Sequence, residues 1–158
     1  MLRADPLSVS ALLAAACVQL PGATREEVIE GMVALLDGAE GVVDLDRVRA
    51  DVFAREELMT TGVGKGLALP HARTAGVTAP VAAFAVTREP VPWEADDGRP
   101  VRLVTLLLAP EGEGSLHVRL LGRISRLLID DAVRTRLLEA ATDADVLAVF
   151  REAEGKMG

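Results

Sequence analysis

The residues best suited to chemistry lie in one stretch, Thr60-Thr61-Gly62-Val63-Gly64-Lys65-Gly66-Leu67-Ala68-Leu69-Pro70-His71. Glycines at alternate positions permit positive φ and close backbone approach, so successive N–H groups can converge on an anion. The spacing is neither a P-loop, which needs Gly-x4-Gly-Lys followed by Ser or Thr, nor Gly-x-Gly-x-x-Gly. A glycine cluster of this kind equally makes a plain turn. His71 follows a proline after a short apolar run, at the expected exit of a strand. The chain has two histidines, and His117 is the other, in the first turn of an expected helix. Imidazole titrates nearest neutral pH and serves as nucleophile, base or metal ligand. The competing reading is that each histidine is structural. No third ligand at recognisable spacing accompanies the pair, so no metal site is expected. Arg55 and Arg73 flank the segment and Lys65 lies within it; guanidinium can grip two oxygens of a phosphate, although such charges also serve simply as solvated surface. Cys17 reads as a small core residue rather than a nucleophile.

These residues need a scaffold, and the chain supplies enough apolar material for one. Its 158 residues are 50% hydrophobic and 26% charged, with 17 Lys+Arg against 24 Asp+Glu and a net charge of −7. That length suits one domain, and the apolar content excludes a disordered chain. The acidic balance argues against a general nucleic-acid binder, whose affinity depends on clustered positive charge. A single cysteine cannot close an internal disulfide and fits a reducing compartment. The apolar run Val9–Val18 is too short to span a bilayer, which takes about 20 residues. It imitates a leader's apolar stretch, with Arg3 before it, but Asp5 and Pro6 weaken that reading. A cytoplasmic protein without membrane insertion is expected.

Thr24 followed by Glu27 is a capping box, opening a helix whose apolar stripe runs through Val28, Ile29, Met32, Val33 and Leu36, with Gly38 as its stop. Asp44 caps a second helix, with Leu45, Val48, Val52 and Phe53 inward, ending near Leu58. Val81–Thr87 and Val101–Leu108 read as strands. The second is almost continuously apolar, as in a strand covered on both faces. Ala16–Leu20 is a weaker strand candidate. Asp97-Gly98 marks a turn. The Glu111–Gly114 run reads as a mobile loop before three closing helices that start at Ser115, Asp131 and Asp143. Residue logic thus reaches a single α/β domain, helices flanking a central sheet, with a candidate anion site at His71.

A resemblance adds to this reading. Arg55-Glu56-Glu57-Leu58-Met59-Thr60-Thr61-Gly62-Val63-Gly64-Lys65-Gly66-Leu67-Ala68-Leu69-Pro70-His71 resembles the active-site signature of the fructose/mannitol-type (type 2) IIA domain of the bacterial phosphoenolpyruvate-dependent phosphotransferase system, which includes the nitrogen-regulatory IIA proteins. The likeness continues through Glu89-Pro90-Val91-Pro92-Trp93, Asp97-Gly98-Arg99-Pro100-Val101, Leu106-Leu107-Leu108-Ala109-Pro110 and Leu116-His117-Val118-Arg119-Leu120-Leu121. It reaches back to Glu27-Val28-Ile29-Glu30, so one IIA-like domain over 1–158, with a core of about 5–153, is expected.

The resemblance implies a central mixed β-sheet flanked by helices, and a phosphohistidine carrier that needs no metal or cofactor. His71 would accept the phosphoryl group on Nε2 from an HPr-type protein. His117 would position or stabilise it, and Arg55 would hold phosphate charge. Thr61 and the glycine backbone would offer weaker contacts to its oxygens. The acceptor would be a separate IIB protein or a regulatory target, since the chain has no room for a fused IIB or IIC domain. The alternatives are a IIA-like binding module that is never phosphorylated, and a small metal-dependent hydrolase. Lys65 stands where the family more often has an uncharged or acidic residue, and Trp93 where it has a smaller side chain.

Overall fold

The computed structural model describes residues 7–157; Arg3, Asp5 and Pro6, weighed above for a leader, lie outside them. Among the described residues six helices and six strands follow one another as α1 (Val9–Leu12), β1 (Leu13–Leu20), α2 (Arg25–Leu35), α3 (Leu45–Leu58), β2 (Gly62–Gly64), β3 (Leu67–Ala68), β4 (His71–Arg73), β5 (Val81–Val91), β6 (Val101–Ala109), α4 (Gly114–Leu128), α5 (Asp131–Glu139) and α6 (Asp143–Met157). The sheet runs β1-β5-β6-β3-β2, and β4 continues alongside β6 beyond β3. The β1–β5, β3–β6 and β4–β6 pairs are parallel, whereas β5–β6 and β2–β3 are antiparallel. The sheet is mixed, as the resemblance implies.

The helices start where their caps dictate. Thr24 Oγ1 accepts from the Glu27 N–H at 3.1 Å, and the Glu27 carboxylate accepts from the Ala23 N–H at 2.9 Å. The reciprocal bond therefore reaches one residue upstream of the cap itself. Asp44 caps α3 through the Arg47 N–H, and Asp130 caps α5 through the N–H groups of Ala132 and Val133.

Eight of the nine residues of β6 are buried, because both sides of the sheet are covered. On one side Ala83, Ala85, Val104, Leu106 and Leu108 pack against Ile29, Met32, Val48 and Val52 of α2 and α3. On the other, Ala82, Phe84, Leu103 and Leu107 meet Leu120, Ile124, Leu137 and Phe150 of α4, α5 and α6. The period-two alternation of each strand sorts its side chains between these two cores. Cys17 is half-buried and packs against the first of them.

Two strands outrun their expected limits. β1 begins at Leu13, directly after the four-residue α1, because pairing with β5 holds the alanine-rich segment extended against its helical preference. β5 continues past Glu89-Pro90: the ladder shifts register and closes again at Val91↔Val101. Proline tolerates such an interruption, since no ladder hydrogen bond is asked of it there.

Candidate active site

His71 opens β4 rather than closing a strand, and pairs with Leu107 near the carboxyl end of β6. Open α/β sheets bind ligands at the carboxyl ends of their strands. Its ring is fixed by a short local bond: Nδ1 lies 2.7 Å from the Leu69 carbonyl oxygen. A carbonyl only accepts, so Nδ1 carries the hydrogen and Nε2 keeps its lone pair. His117, buried in the first turn of α4, stacks obliquely on His71 with ring centroids 5.3 Å apart. Its Nδ1 is buried without a hydrogen-bond partner among the described residues.

Both rings are held neutral. Burial pushes the His117 pKa down to about 4, helped by the neighbouring charges of His71 and Arg73. Burial also lowers His71, with Arg55 adding to the effect, against the Leu69 bond and Glu56, which favour the charged form. The unfolded chain therefore binds protons more readily than the folded one as pH falls below the unfolded value of 6.5. The stability from a neutral His117 is complete above that value and drains away towards about 4. Between pH 7.5 and 4.5 this one group should remove about 2 to 3 kcal/mol. Urea midpoints across that window should fall less steeply for His117→Phe than for the parent. Parallel slopes would show that His117 is not a depressed titrating group.

A cleft of about 680 Å³ opens over the pair, lined by Arg55, His71, Arg73, His117, Asp51 and Glu111 among others. Arg55 comes from the last turn of α3, where its Nη1 donates to the Met59 carbonyl at 2.9 Å. Arg73 sits two residues beyond His71 on β4 and makes no hydrogen bond or ion pair among the described residues. A Cβ at Gly114 would come within 2.8 Å of the Arg73 guanidinium. The missing side chain at Gly114 therefore leaves room for Arg73 at the start of α4. On the rim, Arg47 binds both Asp51, at 3.0 Å, and Glu111, at 3.4 Å. Arg47 offsets one of those two carboxylates, so Arg55 and Arg73 leave the cleft and its rim with a net charge of +1. α4 begins at Glu113 without a side-chain cap, so the positive end of its dipole adds to that charge.

The structure thus brings His71, His117 and Arg55 together and leaves Thr61 apart. Thr61 is buried outside the cleft, its N–H and hydroxyl both donating to the Glu56 carboxylate at 2.8 and 2.9 Å. The glycine segment also stands away from the cleft lining. It is a tight β2–β3 turn with positive φ at Gly64, Lys65 and Gly66 (88°, 58° and 76°), and the Lys65 N–H is already bound to Asp97 at 2.7 Å. Two contributors are additions to the sequence reading. Arg73 stands in the sequence only as a cation near the segment, and its place two residues from His71 on β4 puts both on one face. Glu56 follows Val48 and Val52 at four-residue steps, the spacing of a buried helix face, and so marks a carboxylate directed inward.

Comparisons with known proteins show the chain's family and fold. The chain is 38% identical over 132 residues to the fructose-specific EIIA component of Haloferax volcanii, covering 84% of this chain and 86% of the relative. It is 36% identical over 128 residues to the fructose-specific EIIABC component of Bacillus subtilis, of which it spans only 20%. The crystal structure of the nitrogen regulatory protein IIA-Ntr from Neisseria meningitidis superposes with a TM-score of 0.82 at 31% identity, over 90% of this chain and 98% of that one. Residues 12–153 match the family model described as the phosphoenolpyruvate-dependent sugar phosphotransferase system, EIIA 2, and the chain belongs to that family.

Proposed function

We propose that the chain is a phosphohistidine carrier, taking a phosphoryl group on His71 Nε2 from the phosphohistidine of an HPr-type protein and passing it to a separate IIB protein or using it as a regulatory signal. The observation that carries this reading is the Leu69–His71 bond, which leaves the Nε2 lone pair free beside the guanidinium groups of Arg55 and Arg73, neither of which is paired with a carboxylate among the described residues. In the transfer, the Nε2 lone pair forms a bond to phosphorus as the donor's P–N bond breaks and its ring departs with the electron pair. Positive charge grows on the His71 ring during attack, and the Leu69 carbonyl at Nδ1 stabilises it. Arg55 and Arg73 counter the charge of the phosphoryl oxygens, and His117 holds the acceptor ring through its oblique ring contact. The protein's contribution is position and electrostatics, without redox chemistry.

The surroundings suit a protein donor. Leu58, on the cleft lining, is 82% exposed and Met59 beside it 68%, and Val118 next to His117 is 67% exposed. Apolar side chains left exposed around a polar centre are what a docking partner covers. No helix among the described residues is long and apolar enough to cross a membrane. A cytoplasmic place of work follows from an HPr-type donor. The test is the intact mass of the chain after incubation with phosphoenolpyruvate, enzyme I and an HPr-type carrier. One added, acid-labile phosphoryl group supports the reading. A folded chain that gains none would be a IIA-like binding module instead.

A further inference from the structure

Lys65 has no part in the His71 cleft. It lines a second cavity, of about 390 Å³, with Arg99, Arg102, Arg134 and Asp131. This cavity lies at the start of β6, where Leu103 lines it, whereas His71 pairs with Leu107 further along the strand. Four residues of strand separate the two levels by about 13 Å. We propose that this cavity binds a small, multiply charged phosphate compound of the diphosphate class, at a site separate from the phosphotransfer centre.

Four cations from the β2–β3 turn, the β5–β6 loop, β6 and α5 face the cavity in a chain of net charge −7. Two are held in place by backbone. Arg102 Nε donates to the Thr87 carbonyl at 3.1 Å, which fixes the guanidinium while leaving its terminal nitrogens. Arg134 Nη1 donates to the carbonyls of Leu128 and Ile129 at 2.9 and 2.7 Å, and its other end pairs with Asp131. The other two, Lys65 and Arg99, have side chains with no hydrogen bond or ion pair among the described residues.

The opposing charges are Asp131 and Asp97. Asp97 spends its oxygens on the N–H groups of Lys65 and Arg99 at 2.7 and 3.0 Å, so it ties the two loops together. Four cations against two carboxylates leave a surplus of two charges. A volume of this size suits a small ligand, for which about 300 to 1,000 Å³ is usual. A singly charged anion cannot answer cations arriving from four elements, whereas a diphosphate presents several oxygens to each. Positioned arginines and flexible lysines are a common pairing for phosphate.

The test is calorimetric titration of the full chain with inorganic pyrophosphate at constant ionic strength, with sulfate as the reference anion. Saturable one-to-one binding is expected, tighter than for sulfate. The Lys65→Gln/Arg99→Gln double variant should bind at least about tenfold more weakly, as loss of charged hydrogen bonds requires. His71→Ala and Arg73→Ala should bind as the parent does. Absence of saturable binding would overturn the proposal, as would binding that the His71 or Arg73 variant removes and the double variant keeps. Lys65 and Arg99 are exposed, so their replacement spares the core, and Trp93 fluorescence checks the fold. No donor protein enters the assay, so its outcome is separate from that of the carrier reading.

Discussion

Incubated with phosphoenolpyruvate, enzyme I and an HPr-type carrier, a chain with His71→Ala should take up no phosphoryl group. The loss should be complete, because the other imidazole lining the cleft, His117, is only 5% exposed, and Arg55 and Arg73 are guanidinium cations. A His117→Ala chain should give a different result. The acceptor and its Leu69 bond remain, so the same final mass is reached, but more slowly. Removing a pre-positioned polar group beside developing charge commonly costs about 10² to 10³ in rate. Rapid-quench measurement of phosphoryl uptake separates the two, since end-point mass alone shows them as none and full. A His117→Ala chain that loads at the parent rate would take His117 out of the chemistry. A His71→Ala chain that still loads would take His71 out of it.

The scaffold for this pair was largely written in local patterns. Val101–Leu108 reads as a strand apolar on both faces, and two separate cores do enclose it. Thr24 and Asp44 mark helix starts because a cap is a local device, settled by three or four neighbouring residues, and α6 starts at Asp143 with Thr142 as its cap, accepting from the Asp145 N–H. What escaped was non-local. Alanine-rich Leu13–Ala16 becomes strand only through β5, and β5 reaches Val91 only because Val101 is opposite. The site divides in the same way. His71, His117 and Arg55 meet in one cleft, as the motif implies, but nothing in the segment Thr60–His71 reveals that Thr61 faces a carboxylate. Three alternate glycines allow an anion cradle and a tight turn equally. Asp97, 32 residues further on, occupies the turn's N–H group and decides for the turn.

Glu56 is where the largest loss of stability should fall. It is only 5% exposed and accepts three hydrogen bonds: from the Thr61 N–H at 2.8 Å, the Thr61 hydroxyl at 2.9 Å and the Trp93 indole N–H at 2.8 Å. These bonds join the end of α3, the chain entering β2 and the segment after β5, so one carboxylate ties together three parts of the molecule. Glu56→Ala leaves a buried amide and a buried indole N–H without partners and opens a cavity besides. Each stranded donor costs about 1 to 3 kcal/mol, and about 4 kcal/mol in all is expected for the variant. Glu56→Gln keeps the volume and one acceptor oxygen but turns an NH₂ group towards a donor, so it should recover only part of that loss. Urea unfolding followed by the fluorescence of Trp93, the single tryptophan, measures both variants and reads the broken contact directly. The effect should also reach the cleft, because Arg55 is the neighbour of Glu56 in the last turn of the same helix. Slower loading of His71 in the folded Glu56→Gln chain, at unchanged final mass, is the expected sign that the buried carboxylate sets the position of Arg55. Stability equal to the parent's in Glu56→Ala would mean that the three donors find water instead, and that the α3 end is held by packing alone.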